Sequence, residues 1–309
     1  MISRDAVTTP GSGLPSPRPF SAAWAVARFG FSRRHYAGRR AAGVEVHDSM
    51  LTVLTENTEN TGGPDRVRLR RFATPSTPDD SPLVLVFPDA SSLAGLASRS
   101  GEWLSSSIAH ALPVTVVVVQ IEQSVIDDRE AAFQVLTSFL GGAYTKIALV
   151  GVGTGAALAS RTAMRLRDDP AFDAGGVQVL RQALIDSDFQ LLLGPPSTAV
   201  ALRTSLVARL SELPPTLVQQ SATRLGTSRA GAGEAVVAEG VSFAEDLPEL
   251  LKQAGVAVRA IEYPASALSW ADYPRAVKTA ARSLADLVAF LDRGIVTDGF
   301  DTVPAWNLH

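Results

Sequence analysis

Residues 146–167 read KIALVGVGTGAALASRTAMRLR. Ile147 to Val150 form a short apolar run, and Gly151, Gly153 and Gly155 then fall at alternate positions. From Gly155 onward, small and apolar residues recur at helical spacing. The spacing predicts a strand that enters a sharp turn and leaves as a helix. The turn has to be tight, because glycine is the residue that tolerates both positive φ and close backbone approach.

Working outward, the same alternation repeats. Strands are predicted at 67–72 (VRLRRF, alternating apolar and charged), 83–87, 114–120, 147–150, 179–185, 216–219 and 256–263. Helices are predicted at 101–111, 129–140, 155–167, 198–210, 243–253 and 273–293. Continuous apolar strands separated by helices imply an α/β fold, a mostly parallel central sheet with helices on both faces. Upstream, residues 1–19 carry Pro10, Pro15, Pro17 and several Gly and Ser, and are expected to be disordered. Residues 20–65 are expected to form a cap or lid region, with a helix around Phe20, Trp24, Phe29 and Phe31 followed by a polar loop. The core domain is expected over 66–293, with a flexible Gly/Ala-rich insertion at 226–240 and a tail at 294–309.

Composition narrows the function classes. The chain has 309 residues, 46% hydrophobic and 19% charged, with a net charge of −3 and no basic face, which argues against nucleic acid as a partner. It has no cysteine, so disulfides, thiolate catalysis and Cys-ligated zinc are excluded. No metal site and no cofactor are expected. No apolar run approaches the ~20 residues of a membrane span, and Arg33-Arg34 and Arg39-Arg40 are not followed by an apolar signal segment. The expectation is a cytoplasmic protein.

Four segments carry a resemblance. Residues 83–95, LVLVFPDASSLAG, follow the charged strand at 67–72; residues 146–167 hold the glycine turn; residues 214–219 read PPTLVQ; and residues 254–270 read AGVAVRAIEYPASALSW. In this order and spacing, the chain resembles the α/β-hydrolases of the hormone-sensitive-lipase and bacterial carboxylesterase family over close to three-quarters of its length. The resemblance implies an α/β-hydrolase fold with a cap region. It also implies a strand–turn–helix nucleophile elbow at 151–155, an oxyanion loop after residue 87, a triad acid after 219 and a triad histidine after Tyr263-Pro264.

The residues at those places depart from the family pattern. The nucleophile position is Gly153, the acid position falls on Arg224, and the base position falls on Leu268. The oxyanion loop reads Pro88-Asp89-Ala90-Ser91. The four histidines are His35, His47, His110 and His309. The triad in this fold runs nucleophile, acid, histidine, and only the final residue of the chain follows the elbow as a histidine. A serine nucleophile needs a base, and that base an orienting acid. Asp89 adds a negative charge beside a hole whose donors each contribute roughly 3 kcal/mol to stabilising an oxyanion.

These departures point to a non-hydrolytic protein that holds a small, partly apolar ligand, one that can carry an anionic group, in the cleft of the family's esterases. The expected lining is Asp89, Ala90, Ser91, Ser92, Gly153, Thr154, Arg224, Leu268 and Trp270, with Ser266 and Ser269 as further hydroxyls at its border. Arg224 would anchor an anion or pair with Asp89, or else stand as a solvated surface arginine, and the glycine turn either lets a ligand reach the helix N-terminus or is simply inherited from the fold. One alternative is a repurposed catalyst (cyclase, lyase or isomerase) with Asp89, Glu122 or Asp186 as acid or base. A second is an atypical esterase. The third is a dinucleotide binder, since GVGTGA satisfies G-x-G-x-x-A; against it, Asp186 lies too far downstream and the turn falls late in the series of strands. The resemblance further implies a homodimer formed through the last strand and helix.

Overall fold

The computed structural model describes residues 38–53, 65–89, 101–120, 137, 144–169, 176–187, 209–221, 247–264 and 269–297. The chain divides into Met1–His35, which lies outside the described residues, and Tyr36–His309, which contains every element below. The disorder expected at 1–19, the aromatic helix at 20–31, the helix at 129–140 apart from Thr137, and the insertion at 226–240 also lie outside them.

Eight strands form one sheet in the order β1-β2-β4-β3-β5-β6-β7-β8. They are β1 (Glu45–Val53), β2 (Asp65–Ala73), β3 (Leu83–Phe87), β4 (Thr115–Gln120), β5 (Lys146–Val152), β6 (Gln178–Ile185), β7 (Thr216–Ser221) and β8 (Val258–Tyr263). β1 pairs antiparallel with β2, and β2 antiparallel with β4. From β4 to β8 every neighbouring pair is parallel. The described helices are α1 (Glu102–Ala111), α2 (Thr154–Asp168), α3 (Leu247–Gln253) and α4 (Ala280–Leu291). α4 runs into a π-helical turn, Asp292–Val296.

The pleat sorts the apolar residues onto two faces. Leu83, Leu85, Phe87, Ile147 and Leu149 pack with α2 and α3 on one side. Val84, Val86, Ala148, Val150 and Val152 pack with α1 and α4 on the other. Because successive side chains point to opposite faces, a strand with a helix layer on each side must be apolar throughout, and β3 is buried at all five positions.

Two elements differ from the sequence-based expectation. Residues 45–53, inside the span read as helix and loop, form the edge strand β1. Their pattern misleads because β1 is covered on one side only by β2: Met50 is 59% exposed, and Asp48 bonds Arg68 and Arg70 across the pair. The last helix, predicted over 273–293, is regular only over 280–291. Turns occupy the residues just before it, and Gly294 closes the π-helical turn against Arg181, whose guanidinium lies 5.5 Å over the Phe290 ring. Burial there lowers the Arg181 pKa below its usual value.

Candidate active site

β5 enters the turn in register with both neighbours, Val150 opposite Val86 on β3 and Ala183 on β6. The amide of Gly153 then donates to the carbonyl of Ile185 at 2.9 Å, which ties the turn to the end of β6. Gly153 has φ 56° and ψ −119°, a positive-φ conformation strained for any residue with a Cβ, and α2 starts at the next residue. Gly155 is required for a different reason: a Cβ there would run into the backbone carbonyls of Phe87 and Pro88. The helix can follow the strand this closely only because that position has no side chain.

Asp89, two residues beyond β3, lies over this turn. A Cβ built on Gly153 would be 2.5 Å from its Cγ, 2.7 Å from Oδ2 and 2.9 Å from Oδ1. The carboxylate therefore fills the volume into which a side chain at 153 would project. The Thr154 hydroxyl donates to Asp89 Oδ1 at 2.9 Å and the Thr154 amide to the same oxygen at 3.3 Å. Asp89 is only 7% exposed. The first turn of α2 carries no acidic residue and its last turn carries Arg165 and Arg167. Asp89 thus supplies, from another element, the negative charge that a helix N-terminus favours.

At the end of β6, Asp186 is buried and adopts φ 47°. Its amide donates to Gln219 O, and its Oδ1 accepts from the amide of Ser221 at 3.1 Å, so the carboxylate clamps β6 to β7. Next to it, the Ser187 hydroxyl is buried without a hydrogen-bond partner among the described residues. A second polar chain crosses β7, β8 and α4. Gln219 donates to the Tyr263 hydroxyl at 2.9 Å and to the Ser283 carbonyl at 2.9 Å. Tyr263 donates to Asp286 Oδ2 at 2.9 Å, and Arg259 bonds the other oxygen. Burial, reinforced by the Asp286 carboxylate, pushes the Tyr263 pKa up to about 12.

Of the expected lining, the structure describes Asp89, Gly153, Thr154 and Trp270, and brings the first three into contact. Trp270 is core: 3% exposed, packed edge-on against Trp103 with ring centres 6.2 Å apart. Its indole N–H and the neighbouring Ser269 hydroxyl are buried without a hydrogen-bond partner among the described residues. Ala90, Ser91, Ser92, Arg224, Leu268, Ser266 and Glu122 lie outside the described residues. At Gly153 and Gly155 a Cβ would meet the Asp89 carboxylate and the carbonyls of Phe87 and Pro88 respectively.

The Gln219–Tyr263–Asp286 chain has no counterpart among the sequence-based candidates. Tyr263-Pro264 is a visible motif, but Asp286 lies 23 residues further on, and only the packing of α4 onto the sheet brings the two together. Among the described residues, no three His, Asp or Glu side chains come together as a metal site, and no helix is long and apolar enough to cross a membrane.

The parallel sheet with an antiparallel flank, the helices on both faces and the strained strand-to-helix elbow together define the α/β-hydrolase fold. Solved esterase structures share it. An esterase of the bacterial hormone-sensitive lipase family aligns at 18% identity and TM-score 0.55, covering 91% of this chain and 94% of the other. The hyperthermophilic esterase of the archaeon Pyrobaculum calidifontis aligns at 18% identity and TM-score 0.58, covering 89% and 92%. A bacterial heroin esterase aligns at 17% identity and TM-score 0.59, covering 88% and 90%. No protein-family model matches the sequence, and no curated protein does.

Proposed function

We propose that this chain is a non-hydrolytic protein on the α/β-hydrolase fold, one that holds a small, partly apolar molecule in the cleft above the elbow. The observation that carries the reading is the pair at the elbow, Gly153 with Asp89 lodged against it. Gly153 offers no nucleophile, and the amide of Thr154, the elbow donor that would face a developing oxyanion in this fold, already donates to a carboxylate. Hydrolysis by the esterase route needs a nucleophile, a base and an empty hole. The histidines of the sequence add to the case, since His309 alone follows the elbow.

The test is an assay of purified protein on short-chain p-nitrophenyl esters, paired with native mass spectrometry of the same preparation. The expected outcome is no rate above spontaneous hydrolysis and a small molecule retained in the native spectrum. Turnover that tracks the protein and is abolished by a serine-directed organophosphate would overturn the reading. On the family resemblance of the sequence, the chain would pair as a homodimer along β8 and α4. Sedimentation should then return twice the 32.5 kDa chain mass; a monomer at micromolar concentration refutes that part.

A further inference from the structure

We propose that Asp89 is the resident anion of the elbow, a built-in occupant that satisfies the N-terminus of α2 and closes that position to external anions. The inference stands on the geometry of the turn and does not depend on the proposed function. Three observations converge. The carboxylate is 7% exposed, so it is committed to the interior. Its Oδ1 takes both the amide and the hydroxyl of Thr154. Its Cγ, Oδ1 and Oδ2 all crowd the position a Cβ of residue 153 would take.

A buried carboxylate is costly unless hydrogen bonds and a favourable potential hold it. The N-terminus of a 15-residue helix supplies both. The same donors and the same potential would receive a carboxylate, phosphonate or tetrahedral oxyanion from outside, and one site cannot hold two negative groups at van der Waals contact. A molecule bound above the elbow therefore faces a carboxylate there. An anionic group, expected from the sequence as a feature of the ligand, is directed elsewhere.

Chemical rescue tests this directly. Asp89→Gly removes the carboxylate and leaves its volume open; Asp89→Asn keeps the volume and removes the charge. Sodium acetate is the probe, with sodium chloride at equal ionic strength as the control. The expected result is a melting temperature several degrees below wild type for Asp89→Gly, restored in a saturable manner by tens of millimolar acetate. Wild type and Asp89→Asn should show no difference between the two salts. If Asp89→Gly does not fold in chloride, its refolding yield in acetate becomes the readout. A response to acetate that is absent, or equal in all three proteins, overturns the proposal. Because the readout is stability, ester turnover by wild type would sink the proposed function and leave this inference standing. Failed rescue without turnover would do the reverse.

Discussion

Thr154 and Gly155 sit side by side in the elbow and are fixed by different forces, which separates the expected effects of changing them. Thr154→Val keeps the shape and removes the hydroxyl that donates to Asp89 at 2.9 Å. A hydrogen bond to a charged acceptor contributes about 1.5–3 kcal/mol, so urea unfolding should show a loss within that range. Gly155→Ala places a methyl on the backbone carbonyls of Phe87 and Pro88, which cannot rotate away. The expected outcome is loss of soluble folded protein. Gly153→Ala falls between them: its conformation costs about 1–3 kcal/mol for a residue with a Cβ, and the displaced Asp89 adds to this. Soluble yield for Gly155→Ala and circular-dichroism melts of the other two should return that order, and a harmless Gly155→Ala would contradict the close strand–helix packing.

At the scale of elements, Tyr263 joins β8 to α4 through Asp286 and to β7 through Gln219. Its raised pKa works in one direction. The neutral phenol is favoured in the folded protein, so its contribution is fully present below the ordinary value of 10 and is lost as pH rises toward about 12. Tyr263→Phe should lower stability at pH 7 by about 1–3 kcal/mol, because Asp286 loses a buried donor. It should also flatten the fall in stability between pH 10 and 12. Unchanged alkaline unfolding in the variant would show that another group governs that limb. This network also shows where the sequence stops being informative. The apolar strands β3, β4 and β5 announce themselves, since burial on both faces leaves only one pattern. β1 does not, because an edge strand with Glu45, His47 and Asp48 toward solvent reads like a polar connector. The turn at 151–155 is legible from its glycines alone, whereas the carboxylate over Gly153 comes from residue 89 and meets it only through the pairing of β3 with β5.

For the molecule as a whole, the sheet has unequal flanks. β3, β4 and β5 are paired on both sides and nearly sealed from water, while β1 is held on one side by β2 and by surface charge. Hydrogen bonds from Arg70, and secondarily from Arg68, hold the Asp48 pKa down to about 2. That contribution is present above the ordinary carboxylate value and is lost as pH falls toward 2. With the Asp48 side chain 43% exposed, solvent screening limits it to under about 1 kcal/mol. Asp48→Asn should therefore leave global unfolding nearly unchanged. Native-state hydrogen exchange should nevertheless find β1 opening well before β5, and faster still in the variant. Equal protection of the two strands would mean that the flank is integrated into the core.

The shared volume at the elbow also has a bearing on mutational history. A side chain at 153 takes the volume that the Asp89 carboxylate now fills, so substitutions at the two positions are coupled rather than independent. A serine introduced at 153 with Asp89 in place meets a carboxylate whose Cγ lies 2.5 Å from the new Cβ, so Asp89 has to leave its place on α2 before any chemistry can be tried. A smaller residue at 89 opens that volume beforehand, and that intermediate has given up the charge that caps α2. The two positions act as a ratchet, and a laboratory lineage evolved for esterase activity from this chain should fix its change at 89 before its change at 153.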